Sequence, residues 1–431
     1  MESNKNPDLA DKVAAIVLAG GQGTRLFPLT ENRCKPAVSF GGRYKLIDIP
    51  LSNALNSHIS RIFIVSQYFA SELQQHILST YHLDMFRRGG IEMLCPEETI
   101  QGKTWYNGTA DAVRKNLEYI EKSPVDYYLI LSGDQLYNID FFEMVSFAKK
   151  TDADLLIACL PVEEKEARRM GLLKIDASAK VLEFVEKPSD PQILKTLELP
   201  TQFLKKCNKP ADKKFFLGSM GIYIFKREAL KALLKEEGDD FGRHLIPMQM
   251  QKGKTFAYLY DGYWEDIGTI GSYYEASMAL TKQQCCLNTY DEHNPIFTHP
   301  HHLPSPLIKN TRFQNSMISL GAIIEAEEII HSVIGPRAHI KKGSIIRDSV
   351  IMGNHFYTPP LHQNTRLPAQ FSIGENCLIQ KAIIDEHTFI GKGVQLINKN
   401  NLQTYDGNGI YIRDGIIIVT SGTQLPDNYV L

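Results

Sequence analysis

Between Val13 and Pro36 the chain reads VAAIVLAGGQGTRLFPLTENRCKP, an apolar run that ends in three glycines within four positions and is followed by Arg25 and Lys35. Gly20, Gly21 and Gly23 let a backbone turn tightly and approach a ligand with no Cβ in the way. The N–H groups of such a turn can cradle phosphates, and Arg25 and Lys35 supply the positive charge a triphosphate needs. The stretch reads as a holder of a nucleoside triphosphate, against the plainer alternative of a strand-to-helix turn. It is not a P-loop, because GxxxxGK[ST] is absent. It is a poor dinucleotide fingerprint too, because the third position of GxGxxG is Leu26.

Two carboxylates stand at comparable places further on. Asp134 follows the apolar run of YLILSGD, and Asp266 lies in YWEDIGT. Brought together, they would make the kind of Mg²⁺ site that uses one or two carboxylates, phosphate oxygens and water. Such an ion offsets the repulsion between two phosphorylated reactants. The plainer readings are a turn or cap for Asp134 and a helix N-cap for Asp266. Lys187 sits in FVEKP, a Lys-Pro corner like Lys35-Pro36. In WYNGTADA, Gly108 and Thr109 would open a helix whose N-terminal amides favour phosphate or a sugar hydroxyl.

Elements must hold these residues. Runs over Arg61–Ser66, Tyr127–Ser132, Asp154–Leu160, Leu182–Phe184, Gly221–Phe225 and Thr255–Tyr260 read as strands. They alternate with helical stretches over Ser71–Ser79, Ala110–Lys122 and Phe141–Lys150. The alternation predicts an α/β, Rossmann-like domain over 12–285, with a mainly parallel sheet and helices on both faces. Ligands then sit beyond the carboxyl ends of the strands. Residues 1–11 read as a disordered tail, and the proline-rich 286–315 as a linker. His299, His301 and His302 there are a weak metal candidate. From 316 to 431, apolar steps such as Val333-Ile334-Gly335, Ile373-Gly374 and Ile390-Gly391 recur. They predict a left-handed parallel β-helix of hexapeptide repeats, with a small β-sandwich as the alternative and 354–370 as a loop thrown out from the coils.

Composition narrows the classes. The 431 residues are 43% hydrophobic and 22% charged with a net charge of -2, so neither nucleic acid nor anionic membrane is an expected partner. No apolar run is long enough to span a bilayer. The polar N-terminus lacks the features of a signal peptide. Seven scattered cysteines show no CxxC spacing, which fits a reducing, cytoplasmic setting.

The strings LAGGQGTRL, KPAVSFGGRYKLIDIPLSNALNS, WYNGTADAV, LSGDQLY, FVEKP, GSMGIYIF, DFGRHLIP and YWEDIGT, in this order, closely resemble the glucose-1-phosphate adenylyltransferase family of sugar-nucleotide pyrophosphorylases. The resemblance covers roughly 12–431. It implies an allosterically regulated, cytoplasmic homotetramer that uses Mg²⁺ to join ATP and α-D-glucose 1-phosphate into ADP-glucose and pyrophosphate, the committed step of glycogen or starch synthesis. It implies that Leu18, Gly20, Gly21, Gly23, Gln67, Trp105, Gly108 and Thr109 serve the nucleotide. Arg25 and Lys35 hold the departing pyrophosphate, and Asp134 and Asp266 hold the metal. Tyr106, Gly171, Glu186, Lys187, Ser219 and Asp240 serve glucose 1-phosphate, with Lys187 on its phosphate. The chain departs from the family at several points. Glu97 and Glu98 replace a Gln-Gln pair near the adenine. Asn32, Glu386 and Ser421 stand where members carry activator-binding lysines, which predicts weak or altered activation. The same chemistry on another nucleotide or sugar, and a non-catalytic regulatory subunit, are the rival readings; the charged set Arg25, Lys35, Asp134, Lys187 and Asp266 argues against the second.

Overall fold

A computed structural model describes residues 7–83, 89–99, 102–103, 105–200, 203–204, 207, 209–210, 212–282, 285–359 and 367–431. Residues 1–6 of the expected tail, 360–366 of the expected loop and the side chain of Glu98 lie outside the described residues. Pro7–Ala10 form one helical turn, with Leu9 and Ala10 buried.

The first domain is built on a nine-stranded mixed sheet. Its strands, with two that lie outside it, are β1 (Val13–Ala19), β2 (Arg61–Ser66), β3 (Gly90–Leu94), β4 (Tyr127–Ser132), β5 (Gln135–Tyr137), β6 (Leu155–Glu163), β7 (Gly171–Ile175), β8 (Val181–Glu186), β9 (Phe215–Lys226), β10 (Thr255–Leu259) and β11 (Trp264–Asp266). The path runs β8-β7-β9-β4-β1-β2-β3, with β6 paired to β9 and β10. β1 lies parallel between β2 and β4 and is buried on both faces, as its unbroken apolar sequence requires. The long strand β9 runs antiparallel to β4, β6 and β7. One large apolar cluster packs on each face of the sheet. β5 and β11 leave it as a separate antiparallel ribbon. The helical stretch expected over 110–122 is two pieces, Thr109–Lys115 and Leu117–Ile120. They part at Asn116, whose side chain bonds the Ala112 carbonyl and the Tyr106 hydroxyl.

The second domain is a parallel β-helix. Three strand columns stack in register, with Leu307 on Ile323 and Ile323 on His339. The inward side chains, among them Ile324, Ile340, Ile379 and Ile390, form one apolar core. Pairing skips from Ile340 to Ile373, and the described parts of the expected loop, 354–359 and 367–370, form no strand. Strands at Leu307–Ile308 and Arg312–Gln314 already pair with later coils, so the helix starts inside the stretch read as a linker. A second excursion was not legible from the repeats: Thr404–Asp406 and Ile410–Arg413 form an antiparallel hairpin on the last coil. One column packs on the first domain. Val333, Val350, Met352, Ile383, Ile416 and Ile418 share a core with Leu26, Leu29, Val38, Leu136, Ile267 and Tyr273.

Candidate active site

The carboxyl ends of β1, β2 and β4 stand level, with Leu18 opposite both Val65 and Ser132. The chain leaves all three at one edge, through Gly20, Gln67 and Gly133. A cavity of about 490 Å³ opens there. The glycine loop does not lead into an α-helix. It closes in a single 3₁₀ turn, Thr24–Leu26, with Gly23 at φ 65°. That left-handed conformation suits glycine, and a Cβ at Gly23 would also stand 3.1 Å from the side chains of Lys35 and Thr30. Thr30 Oγ1 donates to the Gly23 carbonyl at 2.9 Å. A Cβ on Gly21 would meet nothing, so that side of the loop faces open space.

The two aspartates converge because the β5/β11 ribbon pairs Asp266 with Gln135, the neighbour of Asp134. The buried side chain of Gln135 ties this ribbon to the sheet. Its Nε2 donates to the Met220 carbonyl at 2.8 Å, and Trp264 Nε1 donates to its Oε1 at 3.3 Å. Lys35 Nζ lies between the two acids, 2.5 Å from Asp134 Oδ2 and 3.8 Å from Asp266 Oδ1. Their side chains are 19% and 41% exposed, so water reaches both. Burial acts to raise the Asp134 carboxyl, but the Lys35 ammonium and a 2.5 Å hydrogen bond from Ser132 hold it below the ordinary aspartate value. Burial and the adjacent Asp134 charge push Asp266 up, against Lys35, Arg25 and Lys187. Arg25 is beside it: a Cβ on Gly268 would stand 3.4 Å from Asp266 Oδ2 and 3.6 Å from Arg25 Nη1. Asp266 caps no helix; Thr269 does, in a capping box with Ser272.

Across the cavity, Lys187 sits in a left-handed turn (φ 48°) with its ammonium 3.1 Å from Glu186 Oε1. Gly171 and Gly242 are the walls behind Glu186, since a Cβ on either would fall within 2.8 Å of its Oε2. Ser219 is buried where β9 slips register against β6. Its Oγ accepts the Gly221 N–H at 3.3 Å. Such a bulge re-aims side chains, and it places Gly221 and Tyr223 at the cavity. Asp240 lines the cavity too, but its oxygens already accept from Thr109 Oγ1 and the Arg243 N–H.

Of the residues singled out from sequence, Leu18, Gly20, Gly21, Lys35, Gln67, Tyr106, Gly108, Thr109, Asp134, Glu186 and Asp240 line this cavity. Gly23, Gly171 and Ser219 support it from behind. Trp105 packs against Tyr68, a lining residue, with the rings tilted by 37° and their centroids 5.2 Å apart. Gln67 accepts the Tyr106 N–H at 2.5 Å, which ties the two flanks of the cavity. Two amides of the first turn of the Thr109–Lys115 helix are taken within the protein: Ala110 and Asp111 donate to the Asp239 carbonyl at 2.8 and 3.1 Å. Gln22, Tyr68, Gln135, Tyr223 and Gly242 were not foreseen as site residues. Gln22, inside the glycine loop, carried a signal; the others carry none in sequence.

A second cavity, about 300 Å³, opens between the domains, lined in part by Arg43, Lys45, His76, Arg337 and His355. Among the described residues, the His/carboxylate group able to hold a metal lies there, Glu72, His355 and Glu386; it includes none of His299, His301 and His302. Its acids are already paired with Arg33 and Lys45. Among the described residues no two of the seven cysteines form a disulfide, and no helix is long and apolar enough to cross a membrane.

Comparison with known families agrees with both halves of this architecture. Residues 14–283 match the family model described as nucleotidyl transferase, and residues 301–430 match the GLGC left-handed parallel beta-helix domain.

Proposed function

The chain belongs to the nucleotidyl transferase family, in the two-domain architecture of the glucose-1-phosphate adenylyltransferases, and from that premise we propose that it makes ADP-glucose and pyrophosphate from ATP and α-D-glucose 1-phosphate. What carries the reading is the convergence of Lys35, Asp134 and Asp266 at the mouth of the glycine loop, in a chain that also carries the family's β-helix.

The reaction needs no covalent enzyme intermediate. A phosphate oxygen of glucose 1-phosphate is already an anionic nucleophile. It attacks the α-phosphorus of ATP, and the bond to the β-phosphate oxygen breaks to release pyrophosphate. The protein aligns the two anions and neutralises their charge. Gly20, Gly21 and Gly23 leave room for the nucleotide backbone. Arg25 and Lys35 offset charge on the departing pyrophosphate. Lys187, 54% exposed and beside Glu186, meets the sugar phosphate. The donor set fits Mg²⁺: two carboxylates supply only hard oxygen atoms, and a cation, the Lys35 ammonium, already stands between them. Asp134 and Asp266 would hold that ion, which bound there lowers the repulsion between the phosphates.

The product would supply glucosyl units for glycogen or starch synthesis, and a homotetramer is the assembly we propose. Where members carry activator lysines, Asn32 is exposed and Glu386 is buried against Arg33, so activation by phosphorylated activators should be weak or altered. More than tenfold activation by fructose 1,6-bisphosphate or 3-phosphoglycerate would overturn that point. The deciding experiment measures pyrophosphate release with glucose 1-phosphate and each of ATP, UTP, dTTP and GTP in turn. ATP alone should support turnover; preference for UTP or dTTP would reassign the substrate, and release with none would remove the reaction.

A further inference from the structure

We propose that Glu386 and Asp385 of the β-helix position Lys35 in the crevice, by gripping the segment that carries it at both ends. The proposal rests on the reading of the crevice above.

The segment is short and the grips are close to it. Arg33 Nη1 lies 3.2 Å from Asp385 Oδ1 and 3.4 Å from Glu386 Oε2, and Arg33 Nη2 donates to Asp385 Oδ2 at 3.4 Å. Four residues beyond Lys35, Ser39 Oγ donates to the other Glu386 oxygen, Oε1, at 2.5 Å. One carboxylate thus holds Arg33 and Ser39 together. Between them Cys34, Lys35, Pro36, Ala37 and Val38 are all buried, and Lys35–Ala37 form a 3₁₀ turn. The turn is wedged from the crevice side too: a Cβ on Gly133 would lie 3.2 Å from Pro36 Cγ. Tyr273 adds a third hold, its hydroxyl donating to the Ser39 carbonyl at 2.6 Å. Lys45 and His355 also face Glu386, at 3.8 and 3.4 Å, and Glu72 faces Arg33 at 3.9 Å. A displacement of Glu386 therefore has little slack to dissipate in before it reaches the Lys35 ammonium, 2.5 Å from Asp134.

Stability alone does not explain why charges sit here. Another part of the same interface is apolar, and a buried ion pair gains little over well-packed apolar residues of similar volume. The Arg33 hydrogen bond to Asp385 and the Ser39 hydrogen bond to Glu386 fix direction as well as contact. Placement of the crevice lysine is what such geometry adds.

The test is a double-mutant cycle of Glu386→Gln and Lys35→Ala, read in two ways: kcat for pyrophosphate release, and the dissociation constant for ATP by calorimetry. Glu386→Gln keeps the size and an acceptor for Ser39 but loses the charge. It should lower kcat by about 10- to 100-fold in the wild-type background. In the Lys35→Ala background it should change neither quantity by more than about twofold. Asp385→Asn run through the same cycle covers the case in which Glu386→Gln fails to fold. Equal losses in both backgrounds would reduce the acid pair to a structural contact, and wild-type turnover in Glu386→Gln would end the proposal. If the wild-type chain releases no pyrophosphate with any nucleotide, the reaction reading falls, while the ATP-affinity cycle still decides whether Glu386 acts through Lys35.

Discussion

Arg33 and Lys35 lie two residues apart and face opposite ways. Lys35 looks into the crevice, toward two aspartates whose side chains are 19% and 41% exposed. Arg33 looks into the domain boundary, toward Asp385 and Glu386, whose side chains are 3% and 4% exposed. The groups are the same, a cation facing two carboxylates, but their access to water differs. In the crevice an incoming phosphate or metal can exchange partners with the ammonium. At the boundary the side chains of Arg33, Asp385 and Glu386 are almost wholly withdrawn from water, and each charge depends on the others to offset its desolvation. Burial thus separates a site that reacts from a joint that holds. Burial acts to lower the Arg33 pKa, yet Asp385, Glu386 and Glu72 outweigh it and keep the guanidinium charged. Glu386 is likewise held far below the usual carboxylate range by Arg33, Lys45 and His355, against its burial.

The contrast can be broken from either side. The largest effect should come from Asp134→Asn in the crevice: turnover should fall at least about 10³-fold while circular dichroism and the thermal midpoint stay near wild type. A near-normal rate would remove Asp134 from the metal site. At the boundary, Glu386→Ala should do the reverse kind of damage. It leaves Arg33 with Asp385 and Glu72 but takes away the acceptor of Ser39, and should lower unfolding free energy by about 2–3 kcal/mol in denaturant titrations; a loss below ~1 kcal/mol would show the joint to be wet. Lys187→Ala, exposed and outside the joint, should raise KM for glucose 1-phosphate by about tenfold or more and leave KM for ATP and the denaturant midpoint alone. If the ATP constant moved instead, the sugar-phosphate contact belongs elsewhere.

Acid should loosen the domain boundary. Burial, aided by His355, lowers His387 to about 4, and burial, aided by His299 and Arg337, lowers His301 to about 4. A histidine held below its ordinary 6.5 binds fewer protons folded than unfolded. Its site is therefore unpenalised above pH 6.5, and stability is lost as pH falls from 6.5 toward 4. For His387 the loss should be on the order of 2 kcal/mol by the bottom of that window. His387→Gln should flatten that part of the stability–pH curve, and an unchanged slope would place the histidine in water. The smallest effect expected is that of Trp105→Ala, which removes the ring on Tyr68 and should raise KM for ATP by about two- to tenfold.

Much of this was legible in the chain. The glycine loop, Lys35 and Asp134 each follow an apolar strand or corner, and their types declare phosphate and metal chemistry. Expected strands fell close to their places, although β9 is far longer than Gly221–Phe225, because strands buried on two faces give no alternation to mark their ends. The repeat of Val333-Ile334-Gly335 and its kin announced the β-helix. The hairpin at Thr404–Arg413 broke that period and went unseen. The engagement of the Ala110 and Asp111 amides went unseen for a different reason: their acceptor, Asp239, lies more than a hundred residues away.

By itself, then, the sequence determined which residues could bind phosphate and metal, that a β/α sheet would present them at strand ends, and that a coil of repeats would follow. Only the tertiary structure decided that Asp266 meets Asp134, that Asp240 is already engaged with Thr109, and that Glu386 reaches across a domain boundary to Arg33 and Ser39. Local side-chain chemistry and periodicity are written residue by residue. Convergence between positions hundreds of residues apart depends on how sheets pair and domains pack, and no single stretch of chain encodes that.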